Sequence, residues 1–334
     1  MSLRNVAAKA GVGAATVSRV LNGHPGVKAS TRSRILRAIE ELKYRPNPHA
    51  RSLAAGKSRV LGLVMANPYN PFFADIYQAI ESQAVQRGYE IELASAHTDL
   101  GQVLPCVQQF LAQKVAGIAI FPENDPGIVA DLREAGLPVV LYDTGEGGGN
   151  ITSIRFDHRR GTRMLVELLF ALGHRRMAYI AAPRLLSPTE ERRLEFIATS
   201  TRLGVEWTTV APVADGFAGG REATRELLRS GFRPTALLCV NDWIAVGAIR
   251  ELRNQGLSTP GDVSVTGFDN ITLSEFSCPS LTTVHIPRAD VGRLVVDALL
   301  PDASGSPAKG RLISLDPELI VRESTGAAPA VSGR

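Results

Sequence analysis

The N-terminal fold is decided by three stretches: VAAKAGVGAATVSRVLNG (residues 6–23), TRSRILRAIEELKYRPN (31–47) and PHARSLA (48–54). Apolar residues recur at helical spacing on both sides of a Gly-Val-Gly break at 11–13. This predicts two short helices around a glycine-bearing turn, which is a helix-turn-helix. A third amphipathic helix is expected to follow, with Ser30 as its cap and a buried stripe of Ile35, Leu36, Ile39 and Leu42.

The second predicted helix has one apolar face and one polar face. Because Val17, Val20 and Leu21 share the apolar face, the opposite face offers five residues to the major groove of DNA: Ala14, Ala15, Thr16, Ser18 and Arg19. The two alanines can contact only thymine methyl groups, whereas Thr16 and Ser18 can reach phosphates. Arg19 is therefore the main candidate for reading a guanine, and Asn22 completes the predicted contacts of this helix.

Charge is distributed unevenly along the chain. Residues 1–59 contain twelve Lys or Arg and two acidic residues, a net charge of +10. The rest of the chain has 25 basic and 31 acidic residues, a net charge of −6, so the overall +4 conceals a basic head on an acidic body. A basic segment of this kind is typical of a module that binds nucleic-acid phosphates.

The pattern GV-x-x-x-TVSRVLNG, followed by YRPN-x-x-ARSLA, resembles the headpiece and hinge of the lactose-repressor and purine-repressor (LacI/GalR) family of bacterial transcription regulators. Gly13 departs from the family, which usually has a better-capping serine there. The resemblance implies a short hinge helix that folds when two subunits meet on DNA. It implies DNA contacts for His49 and Arg51, and a minor-groove wedge for Leu53. The alternative for Leu53 is a linker residue packed on the body.

Beyond Lys57, short apolar strands alternate with amphipathic helices. Strands are predicted at 60–65, 89–94, 117–121, 138–142, 177–181, 236–240 and 263–268. Helices are predicted at 71–87, 104–114, 127–135, 161–172, around 195, at 221–229 and at 242–255, with a glycine-rich break at 145–150 between two similar halves. The tail from Ala289 adds a helix and two strands, at 312–315 and 319–322. Such alternation is typical of doubly wound parallel sheets.

The body also resembles the periplasmic sugar-binding fold that this family uses as a sensor. The expected fold is therefore an N-terminal all-α helix-turn-helix headpiece (1–45), a hinge helix and linker (46–58), and a periplasmic-binding-protein-like α/β body (59–334) of two doubly wound parallel-sheet subdomains. The resemblance places residues 59–156 and 287–316 in the first subdomain, and residues 157–286 and 317–326 in the second. The chain would then cross between them three times.

In open parallel sheets, ligands bind beyond the carboxyl ends of the strands. The residues expected there are Asn70, Phe72, Phe73, Asp143, Asn241 and Asp269. The family's ligand arginine follows a Gly-His turn in an R-x-x-x-F pattern, which indicates Arg192 with Phe196, or alternatively the neighbouring Arg193. Asp215 stands where many relatives have a stacking aromatic residue, so Phe217 is the candidate for that contact. Carboxylates, an amide and a planar guanidinium suit a ligand rich in hydroxyl groups.

These features predict a homodimeric, sequence-specific transcription regulator, most simply a repressor, that binds a palindromic DNA operator and responds to a small sugar-like effector. A purine or nucleoside stacked on phenylalanine is the alternative effector. A solute-binding protein for transport is a different class, but it would need a secretion signal and no basic head. The start MSLRNVAAKAG lacks the apolar core of a signal peptide, which favours the cytoplasm.

Other function classes find little support in the sequence. The three cysteines and six histidines are scattered without metal-ligand spacing. No phosphate-binding G-x-G-x-x-G loop follows a strand and there is no nucleophile elbow, so no enzyme activity, cofactor or metal is expected. No apolar run approaches the roughly 18 residues of a membrane span. The C-terminal tail has no leucine heptads that would join two dimers.

Overall fold

The computed structural model describes residues 2–21, 24–44, 58–96, 100–121, 126–145, 147–184, 187–301 and 308–330. The chain divides into two compact units, Met1–Ser58 and Arg59–Arg334, which we call the headpiece and the body. Among the helices in the described ranges, none has both the length and the apolarity needed to cross a membrane.

The headpiece contains three helices: α1 (Leu3–Ala10), α2 (Ala14–Leu21) and α3 (Ala29–Glu41). Gly11 ends α1 with a left-handed backbone (φ 62°), in the glycine-bearing turn that the sequence predicts. Helices of eight residues are marginal alone in water, so these helices depend on the core they share. That core consists of Val6, Ala7, Ala10, Val17, Val20, Ile35 and Ala38.

Two details predicted for α3 are wrong. The helix begins at Ala29, so Ser30 lies inside its first turn, and Lys28 occupies the N-cap position without a side-chain hydrogen bond. Leu36 is 52% exposed, and Ala38 is buried instead. The helical period explains this. Ile35, Ala38 and the apolar residues that follow lie on one face of α3, whereas Leu36, next to Ile35, does not lie on that face.

The first sheet of the body has six strands: β1 (Val60–Met65), β2 (Glu90–Ser95), β3 (Gly117–Ile120), β4 (Val139–Tyr142), β5 (Ile151–Phe156) and β11 (Leu312–Leu315). Their spatial order is β11-β5-β4-β3-β1-β2, and all adjacent pairs are parallel. Strands β3 and β4 are buried along their whole length, as expected for a parallel sheet covered on both faces. The accompanying helices are α4 (Pro71–Gln86), a 3-10 turn (Leu100–Gln102), α5 (Val103–Gln113), α6 (Pro126–Ala135) and α12 (Arg288–Leu299).

The second sheet has four parallel strands: β6 (Arg176–Ile180), β7 (Glu206–Val210), β8 (Ala236–Cys239) and β9 (Ser264–Thr266). Its helices are α7 (His158–Ala171), α8 (Ser187–Arg202), α9 (Gly216–Arg229) and α10 (Asp242–Asn254). The order β7-β6-β8-β9 repeats the order β2-β1-β3-β4 of the first sheet. Both sheets therefore reverse their winding direction at corresponding strands, where ligands of such sheets usually bind.

The remaining elements are α11 (Thr272–Phe276), β10 (Thr283–His285) and β12 (Glu318–Ile320). Strands β10 and β12 form an antiparallel pair, and single bridges join Thr266 to Thr282 and Asp269 to His285. Helix α12 packs closely on α4, since a Cβ on Gly292 would lie 2.6 Å from the carbonyl carbon of Ala79.

The sequence pattern missed three strands, β5, β7 and β10. Strand β5 (ITSIRF) directly follows the glycine-rich stretch and has too few consecutive apolar residues to read as a buried strand, although five of its six residues are buried. Strand β7 lies at the edge of its sheet and has exposed residues at Glu206 and Trp207. Helix α7 begins at His158, three residues before the start that the sequence pattern predicts.

Candidate functional site

Helix α2 exposes the face predicted to meet DNA. Ala14, Ala15 and Arg19 are exposed, and Thr16 and Ser18 are half-buried. The Gly13 carbonyl accepts hydrogen bonds from the backbone N–H groups of Thr16 and Val17. Because glycine has no side chain, residue 13 gives the helix no side-chain cap. The other predicted DNA contacts, Asn22, His49, Arg51 and Leu53, lie outside the described residues.

In the body, Asp143 follows β4 and is held on both carboxylate oxygens. Its Oδ1 accepts a hydrogen bond from the Phe156 backbone N–H (2.9 Å), and its Oδ2 lies 2.9 Å from Nε2 of His158. His158 is the first residue of α7, and burial lowers the pKa of its imidazole below the usual value. The imidazole is therefore neutral at pH 7.

Arg192 lies in α8 and is 6% exposed. Its Nε donates to Nδ1 of His158 (3.1 Å), which requires the neutral imidazole to carry its proton on Nε2 and to donate it to Asp143. The Nη1 group donates to the Val240 carbonyl (2.6 Å), and Nη2 lies 3.5 Å from Oδ1 of Asp269. The guanidinium also lies over the ring of Phe268, with 3.7 Å between Cζ and the ring centroid.

Asp269 follows β9 and is 5% exposed. Burial raises its pKa to about 7, although the nearby Arg192 acts in the opposite direction. Its backbone carbonyl accepts a hydrogen bond from Nη1 of Arg288 (2.6 Å), and Nε of Arg288 lies 3.4 Å from Oδ2 of Asp75 in α4. The residues Asp143, His158, Arg192 and Asp269 thus form a continuous buried chain from the end of β4 in the first sheet to the end of β9 in the second.

Backbone strain accompanies this chain. Asp143 has φ 58°, Asp269 has φ 107° and Asn270 has φ 54°, which is the left-handed region that residues other than glycine rarely adopt. Such strain persists only where the surrounding contacts fix the conformation, and it concentrates at binding sites. Within the described residues, two further non-glycine positions share this conformation, Lys43 and Lys114.

The other predicted residues of the second sheet surround the same edge. Asn241 caps α10 by accepting from the Ile244 backbone N–H (2.8 Å), and its side chain also bonds Asp215. Asp215 in turn caps α9, and burial raises its pKa. Phe217 is 41% exposed and meets the ring of Trp243 edge to face, with 5.8 Å between the ring centroids.

The effector-site residues predicted after β1 also take part in the fold itself. The Asn70 side chain caps α4 by accepting from the Phe72 backbone N–H (3.0 Å). Phe72 is buried in the core, and Phe73 is half-buried with its ring 5.2 Å from that of Phe72. Asp75 lies on the same helix, and Arg288 connects it to the backbone carbonyl of Asp269.

The structure separates the two candidate arginines. Arg192 is buried in the chain described above, whereas Arg193 pairs with Glu190 (2.6 Å) at the surface of α8. Phe196 is fully buried and stacks on Tyr179, so it is a core residue. Among the described residues, no group of His, Cys, Asp or Glu side chains is arranged to hold a metal ion.

Four residues of the site were not predicted from the sequence: His158, Phe268, Arg288 and Trp243. His158 follows β5 by two residues, so recognising that strand would have placed it at a carboxyl end. Trp243 follows Asn241 and Asp242, which lie two and three residues beyond the end of β8. Arg288 and Phe268 gave no local signal, because their importance comes from contacts made across the sequence.

Comparison with known proteins agrees with this structure. Residues 2–47 match the sequence profile of the bacterial regulatory proteins of the lacI family, and residues 151–325 match that of the periplasmic binding protein-like domain. The transcriptional regulator MalR of Streptomyces coelicolor is 35% identical, and the match covers 99% of this chain and 98% of MalR.

Solved structures with the same architecture include the Lac repressor dimer bound to operator and the anti-inducer ONPF. Its TM-score is 0.82 at 31% identity, covering 98% of this chain and 99% of the repressor. The complex of the transcriptional regulator CelR with cellobiose has a TM-score of 0.64 at 29% identity, covering 97% and 99%. Headpiece, body and full-length similarity all lead to one conclusion: this chain is a DNA-binding transcription regulator that belongs to the LacI family.

Proposed function

We propose that this regulator is a repressor that binds a palindromic operator as a homodimer and responds to a small, sugar-like effector held between its two sheets. The observation that carries the proposal is the buried chain of Asp143, His158, Arg192 and Asp269. A ligand that contacts residues of both sheets binds fully in only one arrangement of the two sheets. The resulting difference in ligand affinity between the arrangements couples ligand binding to DNA affinity.

The proposed effector residues are those predicted from the sequence, joined by His158. The polar contacts come from Asp143, Arg192, Asn241 and Asp269, and Phe217 supplies an aromatic surface. Three further proposed residues lie at the border of the first sheet: Asn70, Phe72 and Phe73. The Tyr142 hydroxyl is buried near the two carboxylates without a partner in the described part of the chain, which leaves one donor for a ligand. Among the similar structures, CelR was solved with cellobiose, a neutral sugar.

A purine or nucleoside is the second candidate effector. The exposed ring of Phe217 and the adjacent Trp243 provide aromatic surface on which a base could stack.

The proposed organisation assigns residues 1–45 to DNA reading and 46–58 to the hinge. It divides the body into residues 59–156 with 287–316, and 157–286 with 317–326. Ala14, Ala15, Thr16, Ser18, Arg19 and Asn22 would lie in the major groove, with His49, Arg51 and Leu53 contacting the operator from the hinge. The regulator would act in the cytoplasm, without catalytic activity or a cofactor. The Lac repressor, with the same architecture, was solved as a dimer on its operator.

The DNA-binding part is tested with an operator selected from a pool of random duplexes. The logarithm of the operator affinity should fall linearly with the logarithm of the salt concentration, because several phosphates are neutralised.

Arg19→Ala should weaken binding by about 1–3 kcal/mol and relax the base preference at one base pair in each half-site. Leu53→Ala should reduce DNA bending. Arg193→Ala, a change in the body, is the control. Equal losses on selected and random DNA would contradict the roles of Arg19 and Leu53.

Two further measurements complete the test. Sedimentation at micromolar concentration should show a homodimer, and a stable monomer or tetramer would contradict the assembly. Operator-bound protein should then be titrated with neutral sugars, sugar phosphates, nucleosides and purines. Release by a neutral sugar supports the proposed effector class, whereas a response to purines alone replaces it with the second candidate.

A further inference from the structure

Arg288, the first residue of helix α12, connects two parts of the body. Its Nη1 donates to the backbone carbonyl of Asp269 (2.6 Å), and its Nε lies 3.4 Å from Oδ2 of Asp75 in α4. The side chains of Arg288 and Asp75 are 16% and 27% exposed. On the same helix, Arg293 pairs with Asp290 (3.0 Å), but these two side chains are 49% and 55% exposed. The contacts of Arg288 are therefore shielded from water, unlike an ordinary surface ion pair.

The position of Arg288 is unfavourable for the helix that it begins. The N-terminus of a helix carries a partial positive charge, so the helix dipole repels a cation in the first turn. Asp290, the acidic residue of this turn, pairs with Arg293. Helix stability thus gives no reason for an arginine at position 288, whereas the contacts with Asp75 and Asp269 give one.

Helix α12 is fixed to the first sheet. It packs on strands β3, β4 and β5 and on helix α4. A Cβ on Gly292 of α12 would lie 2.6 Å from the carbonyl carbon of Ala79 in α4, so the two helices have little room to shift against each other. Because Asp75 also belongs to α4, the Arg288 guanidinium is held from the side of the first sheet. Its acceptor, the Asp269 carbonyl, follows β9 of the second sheet.

Asp269 has a backbone conformation that needs outside support. Its φ of 107° lies in the region that glycine favours, and the next residue, Asn270, has φ 54°. The Asp269 N–H donates to the Val284 carbonyl (2.9 Å) and its carbonyl accepts from Arg288, so partners outside the loop hold both backbone polar groups. The Asn270 side chain is held by His285, with 3.1 Å between Nδ2 and Nδ1. Contacts of this kind maintain the strain that directs the Asp269 carboxyl group.

We infer that Arg288 is a positioning residue of the effector site: it holds Asp269 in its strained conformation from the side of the first sheet, and so prepares the Asp269 carboxyl group for the effector. This inference rests on the proposed function and deepens it. A site that is ordered before its ligand arrives loses less entropy on binding, which raises affinity. Arg288 therefore increases effector affinity without contacting the effector, and Asp75 contributes by anchoring Arg288.

The test uses the full-length protein with three variants of this connection and one control. Arg288→Gln removes both contacts, and glutamine is about as good a helix former as arginine, so α12 is preserved. Arg288→Lys keeps a charge near Asp75 but lacks the planar fork that reaches two acceptors. Asp75→Ala removes the anchor in α4. Arg293→Gln, at an exposed position of α12, is the matched control.

Amide hydrogen exchange measures the support of the Asp269 backbone directly. In Arg288→Gln the Asp269 amide should exchange about tenfold faster than in the parent protein, because its local opening costs less. Asp75→Ala and Arg288→Lys should give smaller increases, and Arg293→Gln none. The amides of α12 should exchange as in the parent, which distinguishes a loosened loop from an unfolded helix. An unchanged rate at Asp269 in Arg288→Gln would overturn the inference.

Effector affinity is measured by titrating the operator complex with glucose and with cellobiose. For a sugar that releases the parent protein, Arg288→Gln should raise the concentration for half-maximal release about tenfold, and Arg288→Lys should raise it less. Maximal release, and operator affinity without sugar, should match the parent, a separation that general unfolding would not produce. An unchanged half-maximal concentration, or an equal increase in Arg293→Gln, would show that Arg288 does not position the site.

Failure of this inference differs from failure of the proposed function. A parent protein that binds its operator but is released by neither sugar would refute the proposed effector class. The exchange rate of the Asp269 amide would then still decide whether Arg288 positions this residue. A parent protein without specific operator binding would refute the proposed function itself.

Discussion

At the scale of single residues, the protonation state of His158 determines how the site is connected. A neutral imidazole with its proton on Nε2 donates to Asp143 and accepts from Arg192 at the same time. A doubly protonated ring would present an N–H to the Arg192 guanidinium and lose that bond. Burial therefore does more than shift the pKa of His158, since it keeps the one form that can join the two sheets.

Arg192 should be far more important for stability than its neighbour Arg193. Arg192→Ala leaves Asp269 and the Val240 carbonyl without their donor in a buried setting, which we expect to cost about 3–5 kcal/mol. Arg193→Ala removes a partly exposed pair with Glu190 and should cost about 0.2–1 kcal/mol. Urea unfolding of both variants measures the difference, and equal losses would contradict the buried role of Arg192.

Stability should depend on pH through Asp269 and His158 in opposite ways. The folded pKa of Asp269 is raised to about 7 from 3.8, so the folded protein holds more protons between these values, and stability falls as pH rises through that window. The folded pKa of His158 is lowered from 6.5, so stability is lost as pH falls below that value. One group contributes at most about 1.4 kcal/mol per pH unit.

The measurement is urea unfolding across this pH range. When the pH rises from acid to neutral, Asp269→Asn should lose less stability than the parent protein. When the pH falls toward acid values, His158→Gln should lose less stability than the parent protein. Unchanged pH profiles in both variants would show that neither group titrates as its burial implies.

At the scale of elements, α9 and α10 approach so closely that glycine is needed on both. A Cβ on Gly220 would lie 2.1 Å from the Ile244 carbonyl oxygen, and one on Gly247 would lie 2.2 Å from the Phe217 carbonyl oxygen. Glu251 of α10 reinforces the contact by accepting two hydrogen bonds from Arg225 of α9, which lower its pKa to about 2. This contact brings Phe217 beside Trp243.

Gly247→Ala should therefore destabilise the protein, although alanine favours a helix by about 1 kcal/mol over glycine. We expect overpacking to dominate and the net loss to be about 1–3 kcal/mol. Ala218→Gly, at an exposed position of α9, is the control for helix propensity alone. Denaturant unfolding distinguishes the two effects, and a gain of stability in Gly247→Ala would mean that the helices can separate at little cost.

The elements also show what periodicity can and cannot predict. Long amphipathic helices such as α4 and α10 and fully buried strands such as β4 carry clear patterns, and their predictions are confirmed. Strand β7 was missed because exposed residues at a sheet edge resemble loop sequence, and strand β5 was missed because Thr152, Ser153 and Arg155 interrupt its apolar residues. Leu36 was misassigned as buried because it stands next to Ile35, and two adjacent apolar residues do not show which of them faces the core.

At the scale of the whole molecule, the predicted architecture is confirmed: a helical headpiece and an α/β body with two parallel sheets. Polar residues at strand ends were predictable because parallel topology fixes where those ends lie. The bonds that join them were not, since His158, Arg192 and Asp269 are separated by 34 and 77 residues in sequence. Only the folded backbone brings such residues together.

The last prediction concerns how the two sheets act on one effector. Asp143 belongs to the first sheet and Asp269 to the second, so a ligand that needs both should lose most of its effect when either is changed. We expect Asp143→Asn and Asp269→Asn each to abolish most of the effector-induced change in operator affinity, which is typically 5- to 150-fold in coupled systems. Operator affinity without effector should stay nearly unchanged, because neither residue belongs to the headpiece.

The double variant provides the decisive measurement. If one ligand bridges both residues, the combined change should cost little more than either change alone, because the coupling is already lost. Titration of the operator complex with an effective sugar gives the three values, and Arg193→Ala serves as the body control. Losses that simply add would indicate two independent contacts, and parental responses in both single variants would place the effector elsewhere.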